Sequence, residues 1–234
     1  MLPPSLYEDL KKLLSQHYAK PIEKIFIQPI SGGSINQTYK LIFSNTHAVF
    51  CKLNKAAAFP DMFLKEQNGL NALHQTACIK TPDVIAHAVL DQYQVLLLEW
   101  IESGPTSPAF FKTFGRQLAA LHQNTHPAFG WHEANYMGSV PQQNSFSRSW
   151  TDFLIHQRLE PLAQKCVAKT LLTPTEYGLL KKLYTKLPLF FDDGEKPALL
   201  HGDLWSGNFM CTKNNEPVLI DPAIYYGHRS MDLA

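Results

Sequence analysis

Leu6, Leu10, Leu13, Leu14 and Tyr18 recur at the three- and four-residue steps of an amphipathic helix, and Pro21 stops the pattern. The period then changes to two. "EKIFIQPI", "INQTYKLIF" and "HAVFCKL" are β-rich runs separated by the turn formers Ser31-Gly32-Gly33-Ser34 and Ser44-Asn45-Thr46, which predicts an antiparallel meander. "DMFLKEQNGLNALHQT" returns to helical spacing, and beyond Pro82 the runs "VIAHAVL" and "QVLLLEWI" predict two more strands. Gly, Pro and Ser crowd into "IESGPTSP", the composition of a hinge. We place the lobe boundary there: a first lobe over 1–100, a hinge over 101–106 and a second lobe over 107–234. Helical patterns follow at about 107–124, 149–168 and 174–187, with a loop-like stretch at 126–148. The chain then reaches "HGDLWSGNFMCTKNNEPVLIDPA", whose apolar runs flank a polar turn and predict a hairpin. A β-rich lobe hinged to a helical one makes a cleft the natural place for a ligand.

Composition changes this picture little. Apolar residues make up 45% and charged residues 18% of 234, ordinary for a folded globular chain. The formal net charge of +1, with Lys and Arg scattered, argues against nucleic-acid or membrane-surface partners. Cys51, Cys78, Cys166 and Cys211 have neither CxxC spacing nor a His partner cluster, so neither zinc nor a disulfide framework is indicated. The N-terminus carries charges where a signal peptide needs an apolar core, and no run approaches the roughly 18 apolar residues of a spanning helix. A cytoplasmic protein is expected.

The hairpin holds the densest candidate chemistry. With Asn214-Asn215 at its tip, the antiparallel register pairs Asn208 with Asp221. An amide oxygen and a carboxylate so placed suit a hard cation such as Mg²⁺ that also takes phosphate oxygens. Asp203, in a loop containing Gly202 and Gly207, reaches the same space and could act as a base. Each of the three, taken singly, also fits the plainer role of a turn residue bonding to its own backbone. Together on one hairpin they favour a site.

A second signal is charge in apolar company. Lys52 shares a strand face with Ala48 and Phe50, while Val49, Cys51 and Leu53 point the other way. Glu66 falls on the apolar stripe made by Phe63, Leu70 and Leu73. Since a buried unpaired charge is strongly unfavourable, the two are expected to pair, which would hold the lysine toward a nucleotide's phosphates. The plainer alternative has the head of Lys52 snorkelling to water and Glu66 at the edge of its stripe. The backbone of Gly32, Gly33 and Ser34 could approach phosphates, although a Gly-Gly hairpin turn is the commoner explanation and the run lacks both the P-loop Lys-Ser/Thr ending and the full GxGxxG pattern.

Read in order, the small-residue loop, strand lysine, helix glutamate, hinge, Asp-x4-Asn loop and later Asp form the parts list of a protein-kinase-like phosphotransferase. "HGDLWSGN" with "LIDPA" resembles the aminoglycoside/choline kinase branch. "GWHEANYMGSVPQQNSFSRSWTDFLIHQRLEPL", "HGDLWSGN" and "DPAIYYGHRSMDLA" together resemble the fructosamine kinase (ketosamine 3-kinase) family from about residue 20 onward. The resemblance implies an α+β, protein-kinase-like two-lobed fold with a β-rich N-lobe and a mainly helical C-lobe. It further implies Asp203 as the base, Asn208 and Asp221 as Mg²⁺ ligands, and Lys52, anchored by Glu66, on the phosphates of ATP. Adenine would lie at the hinge backbone of Glu99, Trp100 and Ile101. His201 would brace the loop, and Trp205 would either wall a sugar-like substrate or pack as a core aromatic. Asp232 would bond the catalytic-loop backbone from below.

The implied substrate is a fructosamine or related ketoamine. An amino alcohol or aminoglycoside kinase, and a non-catalytic nucleotide-binding module, are the alternatives. Family members continue beyond Met231-Asp232-Leu233-Ala234, so the second lobe is expected to be incomplete and its helices at 149–168 and 174–187 to expose apolar faces.

Overall fold

The computed structural model describes residues 2–30, 35–44, 47–191 and 194–234. Two compact units emerge, one formed by Met1–Gly115 with Gly207–Pro222, the other by Arg116–Ser206 with Ala223–Ala234.

In the first unit the predicted meander is present as β1 (Phe26–Ile30), β2 (Gln37–Ser44) and β3 (His47–Lys55), followed by helix α2 (Met62–Gln75), β4 (Val84–Leu90) and β5 (Tyr93–Glu99). The sheet order is β1-β2-β3-β5-β4 with antiparallel neighbours throughout. Strand alternation sorts β3 by face. Val49, Cys51 and Leu53 sink into a core with Tyr39, Leu41, Val95 and Leu97 and with Leu6, Leu10 and Leu14 of α1 (Leu6–His17). Lys52 falls on the other face, opposite Thr38 of β2 and Leu96 of β5. The side chain of Gln94 positions α2, accepting from the Phe63 backbone N–H at 3.1 Å. The strands β9 (Phe209–Cys211) and β10 (Pro217–Leu219) pair in this unit, and Leu219 N–H donates to the Lys80 carbonyl at 2.9 Å.

Helix α3 (Pro108–Leu121) runs from the first unit into the second. The stretch read as loop-like at 126–148 contains a short hairpin, β6 (Asn135–Met137) with β7 (Val140–Gln142). Three-residue strands are too short to show a period, which is why the pattern missed them. The helix expected over 149–168 is present, but as α4 (Trp150–Phe153), a π-helical turn at Leu154–Leu159, and α5 (Glu160–Ala168). Ser149 caps it, accepting from the Asp152 N–H. Helix α6 (Pro174–Tyr184) opens with a full capping box from Thr173 and Glu176 and stops three residues short of the expected end. Strands β8 (Ala198–Leu200) and β11 (Tyr225–Gly227) pair, and Trp150, Phe153, Phe129, Leu200 and Tyr225 form the core beneath them. On the outer side Leu179, Leu183, Leu189 and Phe190 are exposed.

One polar tie joins α5 to α6. Glu160 Oε1 accepts from Tyr177 Oη at 2.5 Å, Gln164 Nε2 at 2.9 Å and Lys181 Nζ at 2.9 Å. The Tyr177 bond leads these donors in pulling the carboxyl down to about 2, below its ordinary value of 4.5. A depressed carboxylate stabilises the fold fully above its unfolded value and ceases to as pH falls through the folded one. Glu160→Gln should therefore flatten the stability profile between about pH 4.5 and 2 in acid titrations followed by circular dichroism. An unchanged slope would show the tie to be inert.

No described helix is long and apolar enough to cross a membrane.

Candidate active site

The lysine and glutamate that the pattern placed in apolar company meet in the first unit. Lys52 Nζ donates to Glu66 Oε1 at 2.6 Å, with side chains only 4% and 10% exposed. The same ammonium donates to Asp221 Oδ1, so the strand lysine holds two carboxylates at once. Burial alone would depress the ammonium. The charges of Asp221 and Glu66 outweigh it and hold Lys52 above the ordinary lysine value. For Glu66 burial is the largest influence and pushes the carboxyl up to about 7, against the pull of a lysine it must share.

Breaking such a buried pair from one side typically costs about 3–5 kcal/mol, because the remaining charge is stranded. Lys52→Met and Glu66→Gln should each destabilise the chain and weaken nucleotide binding, and the double variant should lose less than the sum. Denaturant melts and nucleotide titrations of the three variants check this, strict additivity meaning that the residues do not act as a unit.

The hairpin that carries the two proposed cation ligands is present, but in a different register from that expected. Cys211 pairs with Pro217 and Phe209 with Leu219, so Asn208 stands opposite Ile220, whose N–H donates to the Asn208 carbonyl at 3.0 Å. The cause is the turn. Thr212 N–H donates to the Glu216 carbonyl and Asn215 N–H to the Thr212 carbonyl, enclosing a three-residue loop with Asn215 left-handed at φ 63° instead of a two-residue tip. Asp221 follows the ladder, itself left-handed at φ 55°, a conformation Asp tolerates better than most residues. Asn208 is buried at 6% exposure, whereas the Asp221 side chain is 45% exposed and meets solvent beside its bond to Lys52.

A divalent cation is implied by the kinase-like parts list, and the residues fit it. The donors are oxygens only, one carboxylate and one amide, as a hard cation prefers. No cluster of three or more His, Cys, Asp or Glu that could cage a metal occurs among the described residues, so any ion held here would draw most of its shell from phosphate oxygens and water.

At the predicted hinge Glu99 ends β5. Its N–H donates to the Asp83 carbonyl at 2.8 Å, and its carboxylate accepts from Lys80 at 3.0 Å. Trp100 Nε1–H donates to Glu102 at 2.7 Å, Lys40 lies 4.0 Å over the indole, and Ile101 is buried. Gly32, Gly33 and Ser34 lie outside the described residues.

The second unit contains Asp203. Its backbone N–H donates to Nδ1 of a fully buried His201 at 3.3 Å, which fits His201 as a brace. Asp232 accepts from His201 N–H at 2.8 Å and Gly202 N–H at 2.9 Å, one carboxylate oxygen for each. Gly202 sits at φ 83°, and a Cβ there would come within 2.1 Å of the Ala223 carbonyl oxygen, so only glycine serves. Trp205 is 61% exposed, which removes the alternative of a core aromatic.

Comparison with known proteins decides the family. The family model described as "Fructosamine kinase" matches residues 6–234. The chain belongs to the fructosamine kinase family. A Synechocystis protein assigned as a ketoamine kinase is 36% identical over 232 residues, covering 99% of this chain and 77% of that one. The chloroplastic protein-ribulosamine 3-kinase of Arabidopsis thaliana is 34% identical over 226 residues, covering 94% and 67%. The crystal structure of a Haemophilus somnus protein assigned as a fructosamine-3-kinase superposes with a TM-score of 0.86 at 24% identity, covering 97% and 77%. The protein-kinase-like α+β fold is thereby established for the chain.

For this fructosamine kinase family member, residue patterns alone overlooked two supports. His122 Nε2 lies 3.0 Å from Asp232 Oδ2, both side chains buried, so the carboxylate under the loop has a third partner. Asn135 donates to the Ile224 carbonyl at 2.8 Å, tying the missed hairpin to the segment just after Asp221 and Pro222. His122 could have been singled out as a polar residue closing the apolar stripe of 107–124. Asn135 carried no signal at all.

Proposed function

We propose that the chain is an ATP-dependent kinase that phosphorylates a sugar hydroxyl of fructosamines or related ketoamines. Membership of the fructosamine kinase family supports the reaction class. The single structural observation that carries the reading is Lys52 held between Glu66 and Asp221, an arrangement that a soluble core has no need of and a phosphate-binding lysine does.

In this reading Lys52, kept charged by its two carboxylates, contacts the α- and β-phosphates of ATP. Glu66 fixes its direction. Gly32, Gly33 and Ser34 cover the phosphates through backbone N–H groups, and the backbone of Glu99, Trp100 and Ile101 takes the adenine. Asn208 and Asp221 hold Mg²⁺, which when bound neutralises phosphate charge. Asp203 accepts the proton of the attacking hydroxyl, with His201 and Asp232 fixing its loop. Trp205, exposed beside Asp203 in the chain, offers an apolar wall for a sugar ring. Phosphoryl transfer needs little covalent work from protein groups, so positioning and charge supply the catalysis. A cytoplasmic location remains part of this reading.

Incubation with ATP, Mg²⁺ and an N-alkyl ketoamine, followed by mass spectrometry, should give a phosphomonoester of the sugar. ATP consumed without a phosphorylated sugar would contradict the assignment.

A further inference from the structure

Arg158 is a buried cation with no ion-pair partner among the described residues. Its NH1 group donates to the Gln143 carbonyl at 2.7 Å and the Gln157 carbonyl at 3.0 Å, and its NH2 group to Asn144 Oδ1 at 2.7 Å. Nε is buried and meets no acceptor. Burial of a guanidinium among neutral groups is unfavourable, and burial is the main influence pulling its pKa down. Replacing buried ionic groups by well-packed apolar ones is often neutral or stabilising, so the presence of Arg158 invites another role.

The backbone is shaped to put it there. Leu154–Leu159 winds as a π-helix, in which side chains five residues apart share a face, whereas an α-helix aligns those three and four apart. Phe153 and Arg158 are five apart. The guanidinium carbon lies 4.7 Å from the Phe153 ring centre and 4.3 Å from that of Tyr225, beside two rings that stack on each other at 5.4 Å. Without the π-turn Arg158 would rotate away from this ring pair.

Tyr225 in turn backs the loop that carries Asp203. Its ring edge is 3.2 Å from the point where a Cβ on Gly202 would stand, and the N–H of Ala223, two residues earlier, donates to the His201 carbonyl at 2.9 Å. Asp232 grips the same two loop residues through their N–H groups. The His201–Gly202 segment is thus held by Asp232 through hydrogen bonds and by Tyr225 through packing. Arg158 pins Tyr225 to the π-turn and to residues 143–144.

We propose that Arg158 is a positioning residue for Asp203, acting through Tyr225 on Gly202, and that the π-turn exists to aim it. This rests on the reading of Asp203 as the base. The Lys52 cluster belongs to the other unit, so loss of the clamp should leave nucleotide binding intact.

The test compares the wild-type chain with Arg158→Met, Arg158→Lys and Arg158→Ala. Nucleotide affinity should stay within about twofold, while kcat for a ketoamine falls by up to about 10²-fold, the scale of a small misplacement of a catalytic group. Arg158→Lys should resemble Arg158→Met, because an ammonium lacks the planar, multi-donor head that meets Tyr225 and reaches residues 143–144 at once. Methylguanidinium added to Arg158→Ala should restore part of kcat. Hydrogen exchange of the His201 and Gly202 amides should quicken in all three variants, whether or not a substrate is turned over.

Unchanged kcat with unchanged amide exchange in Arg158→Met would overturn the proposal. So would a loss of turnover matched by equal loss of nucleotide affinity and of cooperative melting, which marks a merely structural residue. A wild-type chain that phosphorylates no ketoamine would refute the kinase reading instead, since amide exchange still decides the clamp.

Discussion

Replacing Asp203 with Asn is expected to lower phosphoryl transfer by about 10²–10⁴-fold while leaving nucleotide affinity near wild type, the signature of losing a general base. The substitution preserves the shape of the side chain and the backbone N–H that donates to His201, so the loop should stay in place. Asp232 continues to hold His201 and Gly202 from the other side. Stopped assays of product formation, paired with nucleotide titrations, separate the two quantities. Near-normal turnover in Asp203→Asn would reduce this residue to a turn former. A parallel loss of nucleotide affinity would place its role in binding.

The second large effect is expected from Asp221→Ala. That change removes one of two carboxylates on Lys52 and the exposed anion proposed to hold the divalent cation. Turnover should fall below detection, and the Mg²⁺ dependence of nucleotide binding should disappear with it. Stability should respond far less, because the Asp221 side chain is nearly half exposed and Glu66 still pairs with Lys52. Retained Mg²⁺-dependent binding would move the cation site elsewhere. A collapse of the fold would show Asp221 to be structural.

These residues differ in how openly the sequence announced them. Lys52 and Glu66 were legible because each broke a strict apolar pattern, and burying a charge without a partner is costly enough that pairing was the simplest outcome. Their contact at 2.6 Å bears out that reasoning. The five strands of the first sheet were legible for a related reason, since one face of each had to alternate or run apolar to cover α1 and α2. Asp221 was singled out by its hairpin, but its bond to Lys52 was not, as the two are 169 residues apart and no local pattern links them.

The hairpin register failed by one residue. "KNNE" reads equally as a two-residue tip or as a three-residue loop closed by a left-handed Asn, and only the backbone hydrogen bonds of Thr212 decide. The π-turn at Leu154–Leu159 was invisible because its residues satisfy helical spacing well enough to pass for an α-helix. Trp205 illustrates another limit: an aromatic residue in a loop fits a packed or an exposed site equally well until its surroundings are known.

The most direct test is one comparison of ADP release, with Mg²⁺ present, across a ketoamine, an amino alcohol and an aminoglycoside, using the wild-type chain and Asp203→Asn side by side. The ketoamine should stimulate release well above the rate with ATP alone, the other two should not, and Asp203→Asn should abolish the stimulation. Stimulation by an amino alcohol or aminoglycoside with none by the ketoamine, or stimulation that survives in Asp203→Asn, would contradict it.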